Sequence, residues 1–327
     1  MKRIFWVALA AVTMMTMQAK TPVMPPALKP GDTIAVLSLS STPKPGVVEK
    51  GVAAVKQWGF NAVVGRHARD EWRSFAGTPE QRRDDLLKAL RDPGVKAILS
   101  SRGGYGAANV LALIPVDTLA KYPKWIIGYS DITGYLSAEL RAGHMSLHAN
   151  MCGRLADTGG TDRESLWLRD ILLGKLPAYH VPGHEFNRPG KARGMLLGGN
   201  MSVFGDMAGS PYDFLAPEVL DYNDAILFIE DVGENIAKLD RMLQHLRLRG
   251  VLDKVQAVIV GRYDDCPPSR GYASTLEMVH DYLKDYNIPV CYDFPVGHDE
   301  DWNYPLIVGC PVELNVTNDK VSLKFVP

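Results

Sequence analysis

The chain is short of several things, and each shortage narrows what it can be. It has 4 cysteines in 327 residues, Cys152, Cys266, Cys291 and Cys310. That is too few for a disulfide framework, and none forms a C-x-x-C pair. Small buried hydrophobes are the favoured reading, with one disulfide left open in an oxidising compartment. No spacing suits a metal. His180 and His184 are four apart, but Pro182 and Gly183 between them forbid a helix carrying both on one face. Net charge is also scarce. At −1, with no lysine- or arginine-rich tract, the chain offers no broad field for nucleic acid or anionic lipid. The apolar run near the start, "IFWVALAAVTMMTM", has 14 residues, short of the ~20 needed to span a bilayer. There is no internal repeat and no low-complexity tract. What remains, 46% hydrophobic and 22% charged, is an ordinary globular composition, long enough for two domains or one large α/β domain.

That apolar run has a recognisable setting. "MKR" precedes it and the small residue Ala19 follows, the pattern of a secretory signal. An anchored helix is the alternative. No cysteine follows the run, so no lipid anchor is indicated. Residues 1–20 are therefore set apart from the fold as a signal peptide, and export, to the periplasm, is expected without a stable membrane anchor.

The mature chain alternates strand and helix. "DTIAVLSLS", "NAVVG", "VKAILSS" and Lys124 to Tyr129 read as strands. Between them lie "VVEKGVAAVKQWG", "TPEQRRDDLLKALRD", with Thr78 and Gln81 spaced as a capping box, and a helix beginning in "GYGAANVLALI". Such alternation predicts a parallel sheet with helices on its faces, over residues 21–160. Residues 161–192 hold one helix, Arg163 to Leu173, in a Gly-, Pro- and His-rich stretch that reads as a linker. Residues 193–327 give a second set: "GMLLGG", "DAILFIE" and "VQAVIVG" as strands, "NMSVFGDMAG", "ENIAKLDRMLQHLRLRG" and "STLEMVHDYLKDYN" as helices, and short closing strands in "PVCYDFPVG", "YPLIVGCPVELNV" and "KVSLKFV". This second domain reads as mixed.

Ligands of open α/β sheets bind beyond the carboxyl ends of strands, and four such ends carry chemistry. In "SSRGGYGAAN", Gly103, Gly104 and Gly106 can turn N–H groups toward an anion. A tight turn without ligand is the alternative, and the partial dinucleotide fingerprint fails at Asn109. Ser130 sits between a strand and a helix. It reads either as a nucleophile on an elbow lacking the second glycine or as a helix N-cap, with Asp131 complementing the helix dipole. Glu230 ends an apolar run and so belongs to its strand, whereas Asp231 and Glu234 suit the start of the following helix. His298 follows Gly297 in a loop with acidic residues 299–301 and Trp302. A solvated loop histidine is the plain alternative. Together these ends supply a serine, a base, an acid to hold the imidazole, and a loop able to stabilise an oxyanion.

Taken in order, "RGGYGA", "IIGYSDIT", "LFIEDVGE" and "PVGHD" resemble the LD-carboxypeptidase family, peptidase family S66, over nearly all of the mature chain. That family includes murein tetrapeptide carboxypeptidases and microcin C self-immunity peptidases. The resemblance implies a flavodoxin-like N-terminal α/β domain and a smaller C-terminal domain with the site between them. It implies a Ser130–Glu230–His298 triad, an oxyanion hole made by the N–H groups of Gly104 and Asp131, and neither cofactor nor metal. It implies release of terminal D-alanine from a murein tetrapeptide stem, and a homodimer. Arg102, beside the loop, is a candidate for a substrate carboxylate, with a surface salt bridge as the alternative. Asn200, in the family's "GGN" motif, is a second substrate-binding candidate. Members often carry His-Gly-Pro after the nucleophile helix. Here "SLHANM" keeps His148 but has Ala149 and Asn150, so an altered substrate pocket is expected. Rival readings are a related peptidase acting on another peptide or an amide antibiotic, and an exported protein that binds without catalysis.

Overall fold

The computed structural model describes residues 21–220, 224–299 and 302–327. The expected signal segment, residues 1–20, and acidic residues 300–301 lie outside them. Five short apolar runs build the parallel part of the first sheet: β1 (Thr33–Leu37), β2 (Asn61–Val64), β3 (Val95–Ser100), β4 (Trp125–Gly128) and β5 (Ser146–His148). Four of them, all but β2, are buried nearly throughout, as parallel strands covered on both faces must be. Helices cross between them. The helix Pro79–Arg91 starts at the expected capping box, with Thr78 accepting from Gln81 N–H and the Gln81 side chain accepting from Thr78 N–H.

The second sheet has seven strands. β6 (Ala178–Pro182), β7 (Gly190–Asn200), β8 (Ala225–Val232), β9 (Ala257–Asp264) and β10 (Val290–Cys291) are joined by β12 (Pro311–Val316) and β13 (Lys320–Phe325). Strands β7 to β10 run parallel, and β12, β13 and β6 extend the sheet antiparallel, so it is mixed. The α/β class and the mixed second sheet match expectation.

Two expectations change. The stretch read as a linker, 161–192, is largely structured: after the helix Arg163–Leu172, β6 closes the edge of the second sheet and β7 has already begun at Gly190. The run "YPLIVGCPVELNV" is not one strand. Its first part, β11 (Leu306–Val308), pairs antiparallel with β5 and completes the first sheet, and β12 then enters the second. A chain cannot serve both sheets without turning, and Gly309, at φ 88°, makes the turn.

Side-chain alternation along β8 shows how the layers meet. Ile226 and Phe228 join the core shared with Ile34, Ile98, Leu147 and Phe325. Leu227 and Ile229 face the other way, into a second core with Leu239, Leu243 and Leu246 of the helix Ile236–Leu248. Glu230 follows Phe228 on the face that looks toward the first sheet.

Candidate active site

Ser130 settles its own question by conformation. Its φ is 62°, in the left-handed region that a non-glycine residue enters at a cost of about 1–3 kcal/mol. It caps no helix: the helix Thr133–Arg141 has Ile132 at its N-cap, and no side chain caps it. A single 3-10 turn, Ser130–Ile132, links strand to helix. The side chain stands half-buried at the end of β4. The glycine loop lies directly on it. A Cβ on Gly103 would come within 2.8 Å of Ser130 Cβ and 3.0 Å of its Oγ.

What holds the loop there was not evident from the sequence. The Asp131 carboxylate is buried, and its Oδ2 accepts from Ser40 Oγ at 2.5 Å and from Ala107 N–H at 2.9 Å. It therefore braces the start of the helix Ala107–Leu111, not the helix that follows it. Burial raises its pKa, against these hydrogen bonds. Behind the loop, Arg82 is buried and donates to the carbonyls of Leu39, Ser40 and Gly106. Ser41 Oγ accepts from Tyr105 N–H at 3.3 Å. Among the described residues neither Gly104 N–H nor Asp131 N–H has a hydrogen-bond partner, so both are free to meet an oxyanion.

On the other sheet, Glu230 is wholly buried and its Oε2 accepts from His298 Nδ1 at 2.8 Å. A register shift between β8 and β9 falls at Glu230, the kind of irregularity that re-aims a side chain. His298 is fixed from a second side, its N–H donating to Asp264 Oδ2 at 2.7 Å. Burial pushes its pKa down, but the charge and hydrogen bond of Glu230, with Asp264 and Asp231 beyond, outweigh this and the net shift is upward. His298 Nε2 is buried and, among the described residues, has no hydrogen-bond partner. The ring of Tyr129, the residue before Ser130, meets the imidazole edge-on at 5.0 Å. The structure thus joins Glu230 to His298 and brings His298 against the serine turn through Tyr129, with no hydrogen bond from Nε2 to Ser130.

A cavity of about 440 Å³ opens at Ser130, lined by Gly104, Asp131, Asn200, Ser202, Asp206 and Lys238 among others. Neither Glu230 nor His298 is among its lining residues. A larger hollow, about 620 Å³, lies on the face of β6, β7, β12 and β13 and touches none of the expected residues, so chemistry and not size selects the site.

Asn200 lines the cavity, but its side chain is largely committed. Its Oδ1 accepts from Val203 N–H and Ser202 Oγ, and its Nδ2 donates to Asp231 Oδ1. Asp231, read as serving the helix after β8, instead accepts from Ser202 N–H at 2.8 Å and braces the helix Met201–Asp206. Burial, then repulsion from Glu230, lifts its pKa to about 6. Glu234 does serve the later helix, through an ion pair with Lys238. Arg102 is not brought into the cavity. It is exposed, and its Nη1 donates to Thr42 C=O at 3.2 Å rather than to a carboxylate. Asn150 is buried against Ser165 and does not line the cavity either. The four cysteines are buried and unpaired.

Fold and site together define a class: a two-sheet α/β protein with a strained serine turn, a buried histidine–carboxylate pair and a donor loop at its strand ends. Comparison with known proteins makes this specific. Residues 34–149 match the LD-carboxypeptidase N-terminal domain and residues 193–314 the LD-carboxypeptidase C-terminal domain. A Synechocystis sp. relative bearing a carboxypeptidase name is 35% identical over 91% of this chain and 95% of its own. The murein tetrapeptide carboxypeptidase of Pseudomonas aeruginosa is 29% identical over 83% of this chain and 90% of its own. The crystal structure of muramoyltetrapeptide carboxypeptidase from Oxalobacter formigenes superposes with a TM-score of 0.80, at 26% identity, covering 90% of this chain and 99% of that one. The chain belongs to the LD-carboxypeptidase family, and its homologues support a peptidase.

Proposed function

We propose that the protein is a serine carboxypeptidase that hydrolyses an L,D-peptide bond and releases the terminal D-alanine of murein tetrapeptide stems. The observation that carries this reading is the buried 2.8 Å His298–Glu230 hydrogen bond, set against the strained Ser130 turn. Serine is a weak nucleophile until a base takes its proton. In this mechanism His298 Nε2, the unpartnered ring nitrogen, accepts the Ser130 proton as Oγ attacks the carbonyl. Glu230 fixes the tautomer with the proton on Nδ1 and stabilises the imidazolium that forms. The oxyanion is held by the N–H groups of Gly104 and Asp131. The imidazolium then protonates the departing amine, D-alanine leaves, and water resolves the acyl-enzyme with His298 again as base. Named relatives that act on murein peptides support the substrate class.

The signal pattern of residues 1–20 supports export, where the same bonds occur in the wall itself. Cell fractionation with N-terminal sequencing tests that part: a cytoplasmic protein retaining Met1 refutes it. The activity is tested by mass spectrometry of a muropeptide mixture before and after incubation. Tetrapeptide stems should lose one D-alanine, and Ser130→Ala should abolish the loss while leaving the fold intact. Unchanged tetrapeptide alongside cleavage of other peptides would keep the peptidase and discard the murein assignment. Full function in Ser130→Ala would leave only a binding protein.

A further inference from the structure

His148 ends β5 beside the nucleophile strand, paired with Gly128, and is fully buried. Among the described residues neither ring nitrogen has a hydrogen-bond partner. Asn303 lies beside it and, as a hydrogen-bonding neighbour, pulls its pKa upward, but the Asn303 amide is shared with Gly297 N–H and Asn150 Oδ1 at 3.5 Å each, and no hydrogen bond from it reaches either ring nitrogen. Such an imidazole is uncommon, because a buried polar group that loses its hydration is nearly always paired with something.

Its surroundings indicate the partner. Phe228 meets the ring edge-on at 5.3 Å, and Tyr129, 5.9 Å away, is the same ring that packs on His298. Glu230 follows Phe228 on that face of β8. Its Oε2 is taken by His298, but its Oε1 is buried and unpartnered. The charges of Glu230 and His298 both act on His148. Unmet polar atoms of two side chains, the His148 nitrogens and Glu230 Oε1, therefore belong to one buried cluster.

We propose that His148 is a positioning residue: a neutral imidazole whose N–H serves Glu230 Oε1, directly or through one bound water, and so keeps Oε2 aimed at His298 Nδ1 while His298 takes the serine proton. The inference rests on the acyl-transfer reading above. Neutrality is built into the location. Burial first, with repulsion from His298, lowers the His148 pKa to about 4 against the pull of Glu230 and of Asn303, so it stays uncharged where His298 titrates. A second imidazolium here would compete with His298 for the same carboxylate. The titratable groups that act on the two histidines are Glu230 and Asp231 on β8 and Asp264 on β9, besides each other.

The test uses the full chain with His148→Phe, which fills the space without a donor, and His148→Gln, which restores one. Labelling of Ser130 by a fluorophosphonate is followed against pH, and the His298 titration by NMR. His148→Phe should label on the order of tenfold more slowly, the scale of one lost hydrogen bond. Its acid limb should move to lower pH, because a loosened Glu230 supports the imidazolium less. His148→Gln should stay within about threefold of the native rate, its limb restored. Should His148→Phe fail to fold, His148→Leu takes its place as the donor-free variant. Native rate and limb in the donor-free variant, or equal loss in both variants with an unmoved limb, would overturn the proposal in favour of plain space-filling. A native protein that does not label at all would overturn the acyl-transfer reading instead. The His298 titration would then still decide, an unmoved midpoint in the donor-free variant overturning the role of His148.

Discussion

His298 carries the most readable consequence at the scale of single residues. On the acyl-transfer reading His298 is the base; a base must be neutral to act, and the carboxylates around His298 raise its pKa above the ordinary 6.5. Turnover, as kcat/KM, should therefore rise with pH along an acid limb whose midpoint lies above 6.5. Glu230→Gln removes the largest upward influence. Its limb should move to lower pH, and kcat should fall by roughly 10³- to 10⁴-fold, because the amide no longer fixes the tautomer. A pH–rate profile of both proteins checks this, and a limb that stays in place would remove Glu230 from the pair. The same shift has a sign for stability. The fold favours the protonated imidazole, so this contribution is fully present below about pH 6.5 and is lost as pH rises through the raised value. Asp231, lifted to about 6, acts in the same direction over a lower window. Its protonated form is favoured in the fold, so its ionisation erodes stability as pH rises from about 4 to 6.

The glycine loop and the serine turn behave as one unit at the scale of elements. Gly104 has a φ of 110°, and a Cβ there would stand 2.2 Å from Ser41 Oγ and 2.6 Å from Ser41 Cβ. Gly104→Ala should cost about 1–3 kcal/mol of stability and, on the acyl-transfer reading, which makes Gly104 N–H an oxyanion donor, should lower kcat by about 10²- to 10³-fold. Thermal melts read the first effect and steady-state kinetics the second; a native kcat would place the oxyanion elsewhere. Asp131→Ala should loosen the same loop from below, since Ser40 and Ala107 N–H both lose their acceptor. The long amphipathic helices and apolar strands were legible in the sequence, because period and caps are local signals. The loop's bracing was not, since Asp131 reaches a helix 24 positions earlier in the chain. Likewise β5 and β11, three residues each, are too short to show alternation. Glu230 was found by its place near the end of β8, while His298, read at the end of a strand in "PVCYDFPVG", lies instead in the loop after β10, which spans only Val290–Cys291. Arg102, chosen only for adjacency to the loop, lies outside the cavity. His148 drew notice only as the kept part of an altered motif, because nothing in "SLHANM" signals a ring buried beside Glu230.

The two sheets do not form separable halves at the scale of the whole molecule. β11 belongs to the first sheet although it arrives after every strand of the second except β12 and β13. Ile226 and Phe228 of β8, with Leu314, Val321 and Phe325, share one core with Ile34, Ile98 and Leu147. This interlock sets the serine turn, through Tyr129, against His298, because the serine comes from one sheet and the pair from the other. Asn200 N–H, at the end of β7, donates to Thr133 Oγ1 at 3.1 Å and ties the second sheet to the first turn of the helix that follows Ser130. A fragment ending at residue 160 would expose the edge of β5, where β11 should pair, and the apolar face that β8, β12 and β13 cover. Exposed strand edges and uncovered core favour association over folding. Such a fragment should therefore aggregate or remain unfolded by circular dichroism and gel filtration, while the full chain melts in a single cooperative transition with Ser130 labelling lost at the same temperature. A soluble, cooperatively folding fragment, or two separate transitions in the intact protein, would show that each half stands alone and that the site is assembled by docking rather than by a shared core.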